Sequence, residues 1–260
     1  MLPRAILTAA IVLGAAGTAA ANPINLVTNG SFETITGDLS GGEIVPGQTG
    51  TYISSATGWY STSTTANGGD PFLFIALPHT ADSTGFGDQW DNGLRHIWGP
   101  NDGSNNGFTG VSPDGGNMLI ADGDYHDTAI SQNIATTLVV GQYYTIGFWW
   151  AAAQWSLNSG ATNEAWQVSL GNSTFNTSTV QLASHGFSGW IWQNYTFLYT
   201  GGANALSFLA VSSSTGEPPI LLLDGVTLSV PEPAAWAMLL TGVAVVGAAA
   251  RRRKKASASF

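Results

Sequence analysis

Between residues 22 and 230 no helical periodicity stands out; short apolar or alternating runs recur instead, bounded by Gly, Asn, Asp and Ser. Alternation over four to eight residues marks a half-buried strand, and clusters of small polar residues mark the turns between strands. Strands are expected over 24–27, 117–121, 129–134, 143–152, 165–170, 192–199, 206–211 and 221–228. In the longest run Tyr143, Thr145, Gly147 and Trp149 alternate with Tyr144, Ile146, Phe148 and Trp150. Both faces of that strand read as apolar, which suits a central strand of a sandwich. Val139, Val140, Gly141 and Gln142 read as the turn that feeds it.

Residues 37–113 are less regular, with isolated aromatics such as Tyr52, Trp59, Phe72, Phe74, Phe86, Trp90 and Trp98 among Gly, Asp, Asn, Ser and Thr. A loop-rich segment of one domain accounts for them better than a second core. No internal repeat and no long linker divides the span, so residues 22–230 are expected to form one all-β domain.

Charge narrows the partners. Only 9% of residues are charged, against about 25% in an ordinary soluble protein. Six of the seven basic residues are Arg4 and the run from Arg251 to Lys255, which leaves Arg95 alone against fifteen acids in the body. Nucleic acid and anionic lipid are held by Lys and Arg, so this body repels both, while it tolerates divalent cations. The absence of cysteine excludes disulfides, thiolate metal sites and cysteine nucleophiles.

Both ends read as addresses. Arg4 gives residues 1–21 a positive start, residues 5–16 are apolar, and Ala19 and Ala21 bracket a small-residue cleavage site with the mature chain starting at Asn22. This is the pattern of a secretory signal peptide, the substrate of signal peptidase. At the other end Pro231, Glu232 and Pro233 are stiff and extended, because each proline fixes its own φ and biases the residue before it away from helix. Residues 234–250 are apolar without interruption, the shortest length that spans a bilayer as a helix. The run from Arg251, Arg252 and Arg253 to Lys255 then holds the cytoplasmic side. The body is thus expected outside the inner membrane, with residues 231–255 as the anchoring signal and 256–260 as a tail.

Pro231-Glu232-Pro233, Trp236-Ala237, the short apolar helix and the arginine run resemble the PEP-CTERM sorting signal, in its PEPxxWA variant. The resemblance implies recognition by exosortase, a membrane transpeptidase, with cutting near the Pro-Glu-Pro element. The membrane helix would then be temporary, and the protein would finish at the surface or outside a Gram-negative cell that makes exopolysaccharide. A plain C-terminal anchor is the alternative reading of the same order of parts.

The body carries a second resemblance. The run from Asn25 to Glu33 (NLVTNGSFE), then Gly58-Trp59, the GNMLIADGD run from Gly116, Gly189-Trp190 and the LLLDGVTL run from Leu221 are similar in order to galactose-binding-like carbohydrate-binding modules. That resemblance implies a jelly-roll β-sandwich whose first and last strands lie close together. It also implies a structural Ca²⁺ held by Glu33 and Asp224, with Asn29 a weaker ligand; the alternative is that Glu33 caps a turn and Asp224 bonds a loop. Oxygen donors of this kind suit Ca²⁺.

Other chemistry finds less support. Asp122, Asp124 and Asp127 lack the spacing of a calcium loop and read as a solvated turn. Asp122, Asp124 and Glu164 could serve a glycosidase only if two of them faced each other across a sugar, and nothing in the sequence pairs them. His79, His96, His126 and His185 are scattered. The aromatics offer stacking faces for sugar rings. Trp149, Trp150, Trp166 and Trp192 fall on expected strands and read as core, so Trp59, Trp90, Trp98, Trp155 and Trp190 are the candidate ligand-binding residues, with packing the competing role. The expected function is non-enzymatic: an exported, exosortase-processed protein that binds or organises exopolysaccharide, with a structural surface protein or adhesin as the alternative.

Overall fold

The computed structural model describes residues 23–37, 39, 42–44, 54–61, 72–79, 97–100, 103–123, 129–156, 158–212 and 219–231. All but Pro23 belong to one compact unit, Ile24–Pro231. Ala19, Ala21, Asn22, Glu232, Pro233, Trp236, Ala237 and the arginines from Arg251 to Arg253 lie outside the described residues, as do Trp90, Asp124 and Asp127. Among the described residues no helix is long and apolar enough to cross a membrane.

The chain folds as an antiparallel β-sandwich. Five short strands come first: β1 (Ile35–Gly37), β2 (Gly42–Glu43), β3 (Ser54–Ala56), β4 (Tyr60–Ser61) and β5 (Leu73–Ala76). Nine follow: β6 (Met118–Asp122), β7 (Ala129–Asn133), β8 (Tyr143–Gln154), β9 (Thr162–Leu170), β10 (Ser173–Asn176), β11 (Val180–Leu182), β12 (Ile191–Leu198), β13 (Ala205–Ser212) and β14 (Pro219–Ser229). One sheet runs β10-β9-β13-β7-β4 with β11 beside β9, and the other runs β12-β8-β14-β6-β5-β2. From β6 to β9 successive strands alternate between the sheets, as do β12, β13 and β14. This crossing from sheet to sheet is the jelly-roll connectivity that the resemblance implied.

Seven expected strands are found within a few residues of their expected bounds. The exception is 24–27. There Asn25 Oδ1 accepts the Val27 N–H at 3.0 Å and the Leu228 N–H at 2.9 Å, so a side chain takes the place of a ladder bond. The segment still lies along the last strand, where Leu26 N–H donates to the Leu228 carbonyl at 2.7 Å.

Period-two alternation places one set of side chains between the sheets. Phe148 and Tyr144 of β8, Leu221 and Leu223 of β14, and Trp166, Val168 and Phe208 of the facing sheet share this core. Phe148 and Phe208 meet edge to face across it, with ring centroids 5.1 Å apart. Each such ring or branched chain contributes about 1.5–3 kcal/mol by leaving water. The opposite set also finds cover. Phe74, Met118, Ile120, Ala151, Ala153, Ile220 and Leu222 point to the outer face of the β8–β14–β6–β5 sheet and form a second buried cluster. Ile97, Phe108 and Trp155 complete it, and Phe187 and Trp190 pack against it. Part of the loop-rich segment is therefore a lid on the sheet's outer face, and this explains why all five residues of β6 are buried.

Candidate functional site

The motif that opens the body is a tightly bonded turn. Asn29 adopts φ +53°, and its Oδ1 accepts the Thr34 N–H at 2.9 Å while its Nδ2 donates to the Thr34 and Thr57 carbonyls. Gly30 follows because the chain passes so close to β14 that a Cβ there would stand 2.0 Å from the Val226 carbonyl oxygen. Val226 N–H donates to the Gly30 carbonyl at 3.0 Å. Phe32 is buried against Trp59, with ring centroids 5.2 Å apart, and Trp59 Nε1–H donates to the Asn29 carbonyl.

This turn sets three carboxylates around residues 112–117. Glu33 Oε1 accepts the Asn117 N–H at 2.7 Å, and Gly116 at φ +71° leaves room that any side chain would take from the Glu33 carboxylate. Ser31 donates to Asp114 Oδ2 at 2.5 Å. Asp224 is completely buried; Ser112 donates to its Oδ2 and Gly225 N–H to its Oδ1. Burial pushes the Asp224 carboxyl up to about 8; the neighbouring Asp114 and Glu33 charges add to the rise, and the two hydrogen bonds oppose it. No Lys or Arg occurs among the described residues to balance these acids.

The donor set suits a hard cation, since carboxylate and hydroxyl oxygens surround a buried acid repelled by its neighbours. Among the described residues, however, no three Asp, Glu or His side chains are drawn together as a finished ion shell. Asn29 has its amide oxygen committed to Thr34. Asp114 was not among the sequence-stated ligands, and nothing in its sequence neighbourhood distinguishes it; the fold brings it to Gly225, where an added Cβ would lie 3.1 Å from its Cγ.

The four described candidates, Trp59, Trp98, Trp155 and Trp190, are all engaged within the fold. Trp59 and Trp155 are buried, Trp98 stacks on His185 at 3.8 Å and donates to the Asn158 carbonyl, and Trp190 donates to the Val111 carbonyl. Each fills a gap between loop and sheet. Among the described residues the exposed tryptophan is Trp192, on a strand and 45% accessible. It pairs with Trp149 across β12 and β8, ring centroids 5.2 Å apart. Gly147, on the same face of β8, is what admits it: a Cβ there would stand 2.6 Å from Trp192 Cζ2. The indole thus lies over bare backbone. Exposed Asn194, Thr196 and Thr227 stand around it, and Thr145 and Thr196 share a 3.0 Å hydroxyl contact. A glycine inside a strand signals such a close approach, and Gly147 was the readable clue.

Residues 229–254 match the PEP-CTERM protein-sorting motif. The chain carries a PEP-CTERM sorting signal. A comparison of the chain with curated proteins finds no match. Among solved structures it is similar to the module TmCBM61 in complex with beta-1,4-galactotriose, at 14% identity over 80% of this chain and 99% of that one, TM-score 0.40. It is similar also to the CBM22-1 xylan-binding domain from Paenibacillus barcinonensis, at 14% identity over 82% and 97%, TM-score 0.39. A cyclase from Fischerella sp. TAU, in complex with 4-(1H-indol-3-yl)butan-2-one, shares 13% identity over 81% and 98%, TM-score 0.46. Likeness at this level says nothing about ligands.

Glu164, one of the acids available for glycosidase chemistry, is sealed in β9 at 1% exposure. Its Oε1 accepts the Thr162 hydroxyl and its Oε2 has no partner. No sugar reaches it. Burial pushes this carboxyl up to about 7 from its ordinary 4.5, against the lowering effect of Thr162. The folded chain therefore keeps a proton on Glu164 that the unfolded chain has released, so this residue's contribution to stability declines as pH rises from about 4.5 to about 7 and levels above, beside the like contribution of Asp224 up to about 8. Urea unfolding of Glu164→Gln across this range is expected to show a shallower decline than the parent; an unchanged slope would remove Glu164 as its source.

Proposed function

We propose that this is an exported, exosortase-processed surface or extracellular-matrix protein of a Gram-negative bacterium, which binds or organises exopolysaccharide. The sorting motif supports the destination. The observation that carries the binding role is the exposed Trp192 indole, laid over Gly147 beside Trp149 and ringed by uncharged hydroxyl and amide side chains. An indole face stacks on the apolar face of a sugar ring while neighbouring polar groups bond its hydroxyls. In this reading signal peptidase removes residues 1–21, the C-terminal helix holds the chain in the membrane for a time, and exosortase releases it from that helix.

A structural Ca²⁺ is part of the proposal. Glu33 and Asp224, joined by Asp114, would hold it, and its contribution is to neutralise their crowded charge. The role of these residues is to tie the opening turn, residues 112–117 and the last strand together, not to catalyse.

Two measurements test these readings. On a glycan array that includes the producer's own polymer, the parent chain is expected to bind saturably and Trp192→Ala to weaken binding at least about tenfold. Capture of no glycan would favour a structural surface protein or adhesin instead. In chelator-treated protein, added CaCl₂ is expected to raise the melting temperature by several degrees, and Asp224→Asn to abolish the rise. A melting temperature indifferent to CaCl₂ would exclude the ion.

A further inference from the structure

The open part of the outer sheet face extends well beyond Trp192. Along β8 the outward positions run Trp149, Gly147, Thr145 and Tyr143, and across from them on β12 run Trp192, Asn194, Thr196 and Leu198, in register pair by pair. Tyr143 is 53% exposed, at the far end from the tryptophans. Trp149 stands six positions along the strand from it, a span of roughly 20 Å. The strip is therefore aromatic at both ends and carries small hydroxyl and amide groups between them.

Its charge is equally specific. No outward residue of the strip is ionisable except the Tyr143 phenol, for which no positive neighbour exists among the described residues. The Trp149 end abuts the acids: a Cβ on Gly225 would stand 3.2 Å from Trp149 Cδ1 and 3.1 Å from Asp114 Cγ. Among the described residues a carboxylated polymer would find no arginine fork or lysine there to receive it.

Resting on the binding role proposed above, we infer that the strip takes an uncharged polysaccharide lengthwise. One ring of the polymer stacks at Trp192 and Trp149, a second stacks several residues along at Tyr143, and the segment between them lies over Gly147 and the Thr145–Thr196 pair. Such a site reads chain length: a short saccharide reaches the tryptophan end alone, whereas a longer one gains the tyrosine contact as an intramolecular second step.

The test is isothermal titration of the full chain in detergent with neutral β-1,4-linked gluco-, xylo- and galacto-oligosaccharides from disaccharide to hexasaccharide, and with polygalacturonate as the anionic probe. At least one neutral ladder is expected to tighten about tenfold or more from disaccharide to hexasaccharide. Tyr143→Ala is expected to remove that gain and leave disaccharide binding unchanged, Tyr143→Phe to restore it, and Trp192→Ala to abolish binding at every length. Both rings are exposed, and matching melting temperatures would confirm that the variants fold. Binding that ignores length, indifference to Tyr143→Ala, preference for polygalacturonate, or silence of all three neutral ladders would overturn the inference. A blank glycan array would sink the underlying binding role as well, so the two failures are distinguishable.

Discussion

The structure depends on a clasp between the two ends of the body. Asn25 and Leu26 bond to Leu228, the Gly30 carbonyl accepts the Val226 N–H, and Gln132 holds Thr28 by both its N–H and its carbonyl. These contacts span up to 203 residues of sequence. They close the sandwich where its last strand bulges between Asp224 and Thr227. With no cysteine in the chain, and no Lys or Arg among the described residues, few other means of joining these ends exist.

From the clasp the rest of the surface chemistry follows. The opening turn carries Ser31 and Glu33 to residues 112–117, and the bulge turns Asp224 beneath them. The same bulge sets Gly225 against Trp149, so the acid seam and the tryptophan pair are neighbours. Beyond the seam, the outer sheet face divides in two. One half is covered by Ile97, Phe108, Phe187 and Trp190, and the other half is open around Trp192 and Tyr143. A fully covered face would be core, and a fully open one would leave Ile120, Ile220 and Leu222 in water.

Much of this was legible in the sequence, and the part that was not has a single physical cause. Alternation located seven strands, and the Asn29-Gly30 turn and Asp224 marked the ends that meet. Alternation reports which residues share a face, yet it does not report whether another segment covers that face. Trp149 and Trp192 read as core because they fall on expected strands, and Trp155 and Trp190 stood as candidate binding residues, with packing the competing role, because they fall between strands. The cover comes from Ile97 and Phe108 and from Phe187 and Trp190, on loops outside the strands they bury, and the exposure of Trp192 follows from where that cover stops. Gly147 and Thr145 were the local hints that one half stays open. Asp114 gave no hint, since its importance comes from proximity to Gly225 rather than from its neighbours in the chain.

The central claim is that polysaccharide meets this protein on the open half of the outer sheet face. The most direct measurement is the set of tryptophan indole N–H signals in a ¹H–¹⁵N spectrum during titration with the producer's polymer. The account expects the Trp192 signal, and to a lesser degree that of Trp149, to move while those of Trp59, Trp155, Trp166 and Trp190 stay in place. Movement of the Trp98 or Trp190 signal with Trp192 unmoved would contradict it and return the site to the loops.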